Sequence, residues 1–347
     1  MDSVAPVHLP SSLLATGDTP VGRVPGPDSH RRASLVLSGA GWTLTCPWRR
    51  PLRGSWDRAA GLLDGLDRLD HVHALEIEAE PTGPARGDAP AAALATFATR
   101  AIARGTFVVG DLPSDASRQV PTAIPGAAHG RPGDLAFDLA SVRQRRDVLR
   151  TRPAQLPTVS ILLVTRRPHL LDAVATMIRA QRYRRIQVVV AVHGAGAEDL
   201  PSPDVGDLPL KVIAAPGDRT LGHALAMAAE VADGELLTKM DDDDHYGPDH
   251  VLDLVLGRDV SGAQVVGKSS TVVHVEALDT TVRRVIGTPE TAVHRVAGGT
   301  ILVGRDELRS FGGWADVPRA VDSALMSAVA AAGATIYRPH DIGYLYV

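Results

Sequence analysis

The chain has 347 residues, 44% hydrophobic but only 4% aromatic, a length that suits about two domains with cores of Ala, Val and Leu. Its formal charge of −4 gives no global reason to expect a nucleic-acid partner, and its single cysteine, Cys46, excludes an internal disulfide or a cysteine-rich zinc site. No apolar run reaches the ~20 residues of a membrane span, and the N-terminus lacks the charged-then-apolar order of a signal peptide, so a soluble, cytoplasmic protein is expected, with a peripheral membrane contact left open.

Residues 1–32 are rich in Pro, Gly, Ser and Asp and read as a flexible N-terminal arm. A small α/β accessory domain is expected over 33–152. Its elements are a strand over 34–38, a helix over 56–69 from the spacing of Leu62, Leu63, Leu66 and Leu69, and a strand over 73–77. An alanine-rich helix over 91–104, a strand over 106–109 ending at Gly110-Asp111, and a basic helix over 136–150 follow. Gly39-Ala40-Gly41 lacks the following helix that a dinucleotide fingerprint requires. His71 and His73 stand two apart, as a metal pair on a strand would, but ordinary strand-flanking residues account for them better. Pro153 to Pro157 reads as a linker.

From Pro157 the pattern becomes regular. Val159 to Val164 is a continuous apolar strand, as in a parallel sheet covered on both faces. Pro168 suits the first turn of the helix over 170–181. Strands over 186–192 and 210–214, and an alanine-rich helix from Leu221 towards Asp233 with Gly234 as its stop, complete a repeated β-α-β. Next comes the apolar strand Leu236 to Met240, and then four consecutive carboxylates, Asp241 to Asp244. Such a run repels itself, so it is solvated, disordered or gathered around a cation. At the carboxyl end of a strand, where open α/β sheets collect ligands, the cation is the strongest of the three. The bland account is a solvated turn, one Asp capping the helix that starts near Pro248. Segments 271–275 and 281–286 read as a hairpin. Tyr344-Leu345-Tyr346-Val347 reads as a strand cut short, which suggests that the sequence continues beyond it.

Several stretches together carry a resemblance: Val-Ser-Ile-Leu-Leu-Val-Thr-Arg-Arg-Pro (159–168), Gln181-x-Tyr183, Leu221-Gly222-x-Ala224, and Gly234-Glu235 before the aspartates. Ala297-Gly298-Gly299-Thr300, Phe311-Gly312-Gly313-Trp314, Val321-Asp322 and Ala332 to Tyr337 continue it. In this order they resemble family 2 glycosyltransferases with the GT-A fold, over residues 157–347. The resemblance implies a doubly wound, mostly parallel sheet, a nucleotide-diphosphate sugar donor and a hydroxyl-bearing acceptor (glycan, lipid or small molecule).

It also implies roles. A divalent cation, Mn or Mg from the oxygen-only donors, would offset the charge of the leaving diphosphate. Asp241 and Asp243 match the cation ligands, Asp242 falls near the ribose, and Asp244 stands as a substitute for either ligand because the register is open by one. Thr165 and Arg167 at the first strand end reach base or phosphate, and Arg219 before a helix N-terminus balances the pyrophosphate. The chain departs from the family at Val192-His193, where an Asp-Asp pair is usual, so His193 takes the place of a base-contacting acid. Asp322 matches the general base, with Val321 in place of its usual acidic neighbour; helix N-capping is the structural alternative. Gly298 and Gly299 let backbone approach a sugar, and Trp314 offers a ring face to it or packs in the core. Lys268 is a candidate contact for acceptor or phosphate. The rivals are a nucleotidyltransferase on a similar sheet, which would need a Gly- and Lys-rich loop where Thr165-Arg166-Arg167-Pro168 stands, and a non-catalytic sugar-nucleotide-binding protein.

Overall fold

The computed structural model describes residues 18–26, 29–80, 88–110, 112–117, 120–121, 129–151 and 156–347. Most of the expected arm, Asp111 and most of the linker fall outside the described residues. The chain divides into two compact units at Ala154/Gln155.

The first unit contains strands β1 (Arg32–Leu37), β2 (Gly41–Thr45) and β3 (Leu52–Ser55), a 3-10 segment (Trp56–Arg68), β4 (Ala74–Ala79) and helix α1 (Asp88–Ala103). Strand β5 (Phe107–Gly110), the short helix α2 (Ser114–Ser117) and α3 (Leu135–Leu149) follow. Its sheet has the order β3-β2-β1-β4-β5, antiparallel through β1–β3 and parallel from β1 to β5. The antiparallel hairpin β2–β3 is not evident in the sequence pattern. The glycines that fail as a dinucleotide fingerprint lie at the β1–β2 turn, where a side chain on Gly41 would meet the Gly54 carbonyl at 2.0 Å. Leu35, Leu37, Leu44, Leu75 and Ile77 are buried on alternate strand positions. The edge of β5 is closed by Gln144 of α3, which both accepts from and donates to the Val108 backbone at 2.9 Å.

Residues 18–26, expected to belong to a mobile arm, pack on this unit instead. Asp18 is 2% exposed and pairs with Arg100 at 2.5 Å. His71 is exposed with a left-handed backbone, φ 64°, whereas His73 is buried against the Phe137 ring. Burial drives the His73 imidazole down to about 4, so it stays neutral, and the two histidines form no metal pair.

The second unit opens with β6 (Val159–Thr165), α4 (Leu171–Arg179), β7 (Ile186–His193), β8 (Leu210–Ala215), α5 (Leu221–Glu230) and β9 (Leu236–Met240). It continues with β10 (His245–Tyr246), α6 (His250–Ser261), β11 (Val265–Val266), β12 (Val272–Val275), β13 (Thr280–Arg283) and β14 (Thr291–Val293). A 3-10 turn (Gly298–Thr300), β15 (Leu302–Gly304), α7 (Arg305–Ser310), α8 (Val321–Ala331), β16 (Ile336–Arg338) and β17 (Tyr344–Leu345) complete it. The main sheet has the order β14-β16-β11-β15-β9-β6-β7-β8. Four of its seven pairings are parallel, including the continuous block β9-β6-β7-β8. The unit is therefore α/β with a mostly parallel sheet. One face packs α5 and α8 through Leu225, Ala228, Leu325 and Val329 against Leu162, Val189 and Leu237. The alternate side chains Ile161, Leu163, Val188 and Val190 are as deeply buried, so both faces are covered.

Two local expectations are corrected here. Helix α5 ends at Glu230, ahead of Gly234, whose role is close packing: a side chain there would lie 2.5 Å from the Ser160 nitrogen. Lys268 is fully buried and bonds Asp253 at 3.0 Å and the Ile342 carbonyl at 2.6 Å, so it faces the interior rather than a ligand.

Candidate active site

The parallel block ends its strands β6, β7 and β9 along one edge, the edge at which open α/β sheets collect ligands. Strand β15 runs antiparallel beside β9, so the Gly298–Thr300 turn that precedes it lies against the end of β9, where the aspartates begin.

Three side-chain groups form there. In the first, Lys239, 4% exposed near the end of β9, puts its Nζ 3.0 Å from Asp241 and 3.1 Å from Asp322. Burial works against its charge, yet Asp241 and Asp322 outweigh it and hold the ammonium above its ordinary value. Burial pushes the Asp241 carboxyl up, with Lys239 opposing. Asp322 Oδ2 takes the lysine, while Oδ1 is buried and bonds no described residue. Gly298 is required by this arrangement, because a Cβ on it would lie 1.9 Å from Asp322 Oδ2. A Cβ on Gly299 would lie 2.7 Å from both Asp241 Oδ2 and Tyr246 Oη. Tyr246 Oη in turn accepts the Asp241 backbone N–H at 2.8 Å.

The second group joins the ends of β6 and β9. Arg167 clamps Asp242 through two nitrogens and reaches Asp243 at 2.7 Å. Thr165 Oγ1 donates to Asp242 and accepts the Arg167 backbone N–H at 2.7 Å. The hydrogen bonds to both aspartates raise the guanidinium's affinity for its proton further. Asp242 is nearly buried here, whereas Asp243 is 44% exposed.

The third group lies past β7. The buried His193 ring meets the Arg166 guanidinium at 3.0 Å and the Arg219 carbonyl at 2.9 Å. The Arg219 guanidinium itself turns to Asp316 at 3.1 Å, which also accepts from Thr220. Gly194 has φ 96°, and a Cβ on Gly217 would lie 3.1 Å from its Cα, so the loops after β7 and β8 run close together.

Two expected site residues are engaged by the fold itself. Asp244 is 2% exposed, and its oxygens accept from Tyr344 Oη at 2.7 Å and the Val347 nitrogen at 3.1 Å, tying down the terminal strand paired with β10. Trp314 is 5% exposed and packs in the core cluster with Leu237 and Leu308, the alternative that the sequence left open. The capping account of Asp322 fails: Ala320 holds the N-cap position of α8 at φ 58°, and Asp322 lies one position inside the helix. None of the four aspartates caps α6, whose N-cap position is Asp249.

Lys239, Arg166 and Tyr246 go unassigned in the sequence. Lys239 carried a usable signal, as one of three lysines in an arginine-rich chain and the only charge in its strand.

Among the described residues, no three His, Cys, Asp or Glu side chains stand together as a preformed metal cage. Asp241 and Asp243, with 34% and 44% of their side chains open, are oxygen donors of the type a hard divalent cation takes, and in this structure they face Lys239 and Arg167.

Neither protein-family models nor curated proteins give a match to this chain. Among solved structures it is similar to a mannosyltransferase from Pyrobaculum calidifontis in complex with GDP-Man and Mn2+, at 18% identity and a TM-score of 0.44, over 58% of this chain and 62% of that one. It is also similar to S. aureus TarS 1–349 in complex with UDP-GlcNAc, at 17% identity and a TM-score of 0.42, over 54% of this chain and 58% of that one. The matched region spans about three-fifths of the length of these neighbours. At these values the likeness carries no inference about what this chain binds or transforms.

Proposed function

We propose that the second unit is a metal-dependent, inverting glycosyltransferase of the GT-A, family 2 type, moving a sugar from a nucleotide-diphosphate donor to a hydroxyl acceptor. The observation that carries this reading is the meeting of Asp241 and Asp322, distant in sequence, on one buried Lys239 beside Gly298 and Gly299. A strand-end carboxylate and a helix-borne carboxylate at one sheet edge are the pair that displacement of a diphosphate by a hydroxyl requires.

In this reading the Asp322 carboxylate, 27% exposed, accepts the acceptor's proton as the hydroxyl oxygen bonds the anomeric carbon and the bond to the diphosphate breaks. Lys239 holds Asp322 in place and keeps the adjoining carboxylates from repelling one another. Asp241 and Asp243 would hold Mg or Mn, which offsets the charge of the leaving diphosphate when bound. Thr165, Arg167 and Asp242 form the wall for ribose and phosphate. His193, backed by Arg166, faces the base side, and Arg219 is available to phosphate by exchanging Asp316. Gly298 and Gly299 let Asp322 and Asp241 sit against the turn backbone, which sets the acceptor-side wall. The nucleotidyltransferase rival gains nothing, since the loop after β6 offers neither glycine nor lysine.

Thermal-shift measurements with UDP, GDP, dTDP and CDP, each with and without Mn, test the reading. A stabilisation by one nucleotide that depends on the cation is expected. No shift with any of them, where a control transferase responds, contradicts it.

A further inference from the structure

The β2–β3 connection of the first unit, residues 46–51, exposes a tryptophan that nothing in the fold requires there. Trp48 has 92% of its surface open, whereas Trp42 is buried and the Trp56 indole donates to the Ser38 carbonyl at 2.8 Å. Its backbone lies in the left-handed region, φ 64°, which a bulky side chain adopts only at a cost. Pro47 and Pro51 bracket it and restrict the loop on both sides. The loop lies at the open edge of the sheet, where β3 is the outermost strand.

The surroundings are cationic. Arg49, Arg50 and Arg53 are exposed, and the Arg68 guanidinium donates to the Arg50 carbonyl at 2.7 Å, bringing a fourth charge to the loop. None of the four pairs with a carboxylate among the described residues, although Arg23, Arg100 and Arg104 of the same unit all do. A solvent-facing indole on a loop that carries guanidinium groups without carboxylate partners among the described residues matches the interface of an anionic bilayer, where tryptophan settles at headgroup depth and arginine meets phosphate. Single-stranded nucleic acid is a poorer fit, because its platforms stack successive bases on several rings along a groove. Trp48 is the one strongly exposed aromatic side chain among the described residues of this unit.

We propose that residues 46–53 dock the protein on an anionic lipid surface, with Trp48 entering the headgroup layer and Arg49, Arg50 and Arg53 engaging lipid phosphates. The contact is peripheral: no helix among the described residues is long and apolar enough to cross a membrane. It does not rest on the reaction proposed for the second unit and is read without turnover.

The test is co-sedimentation of the full chain with vesicles of phosphatidylcholine alone and of phosphatidylcholine mixed with phosphatidylglycerol. Binding is expected only to the anionic vesicles, fading with salt, with a blue shift of tryptophan emission. Replacing any one of the three exposed arginines by serine is expected to weaken binding about fivefold. Trp48→Gly separates docking from folding, since glycine relieves the left-handed backbone and no packing is lost. It is expected to melt at the same or a higher temperature while losing the blue shift and most of the binding. The proposal is overturned if the chain stays in the supernatant with anionic vesicles at low salt, or if Trp48→Gly binds as tightly as the parent. A Trp48-dependent preference for single-stranded DNA or heparin over the vesicles also overturns it.

Discussion

The second unit holds two buried lysines, each set against aspartate, and their surroundings differ in one respect. Lys239 meets Asp241 and Asp322, which keep 34% and 27% of their side chains open to solvent. Lys268 meets Asp253, which is 2% exposed and also lies 3.4 Å from the His340 ring. The same pairing of ammonium and carboxylate is thus open in one place and sealed in the other. A sealed pair can fix only the fold, whereas an open pair can exchange partners with a ligand. Access, rather than the chemistry of the groups, separates the two.

The largest expected effect of breaking this contrast falls on the sealed side. Lys268→Met leaves Asp253 buried without its ammonium, and a loss of about 3–5 kcal/mol in unfolding free energy is expected by denaturant titration. Nucleotide binding at a temperature where the variant stays folded should not change. Gly298→Ala acts on the open side. Its Cβ would overlap Asp322 Oδ2, so the carboxylate must move, and turnover is expected to fall on the order of a hundredfold with a smaller effect on melting.

A third prediction uses pH. Asp341, beside the sealed pair, accepts the Ser269 N–H at 2.6 Å, and burial pushes its carboxyl up to about 6 despite Arg338. The folded state therefore holds a proton that the unfolded chain, near the ordinary value of 3.8, has released. Stability from this group is complete below that value, falls as pH rises towards about 6, and is flat above. The stability of the parent relative to Asp341→Asn is expected to decline by on the order of 2 kcal/mol between pH 4 and 7. A constant difference would contradict the assignment. The smallest effect is that of Lys239→Met on stability, about 1 kcal/mol, because its aspartates can hydrate once the ammonium is gone. Turnover should fall about tenfold in the same variant; a loss as large as that of Lys268→Met in stability would erase the distinction between open and sealed.

Legibility in the sequence followed the same line between pattern and placement. Strands β6 and β9 could be read because continuous apolar runs in a parallel sheet announce themselves, and β9 falls on the expected residues. The hairpin β2–β3 escaped because its strands are short, half polar and carry Gly54. The helical spacing of Trp56 to Leu69 proved to be a 3-10 segment with a kink at Arg58, a distinction that leucine spacing alone does not make. Within the site, residue types announced carboxylates but not their partners. Nothing in four consecutive aspartates says that Asp242 and Asp243 share Arg167 while Asp244 turns inward to Tyr344. The first choice follows from the pairing of β6 with β9 and the second from that of β10 with β17, contacts distant in sequence that a local pattern cannot carry.

The central claim is that the carboxylate facing Lys239 from α8 takes the acceptor's proton. Asp322→Asn keeps the shape and a contact to Lys239 but removes the base. With the nucleotide identified by the binding panel and a donor sugar found among its nucleotide sugars, the account predicts donor affinity within about twofold of the parent and a fall in nucleoside-diphosphate release of about a thousandfold. Release at the parent's rate by Asp322→Asn would contradict it.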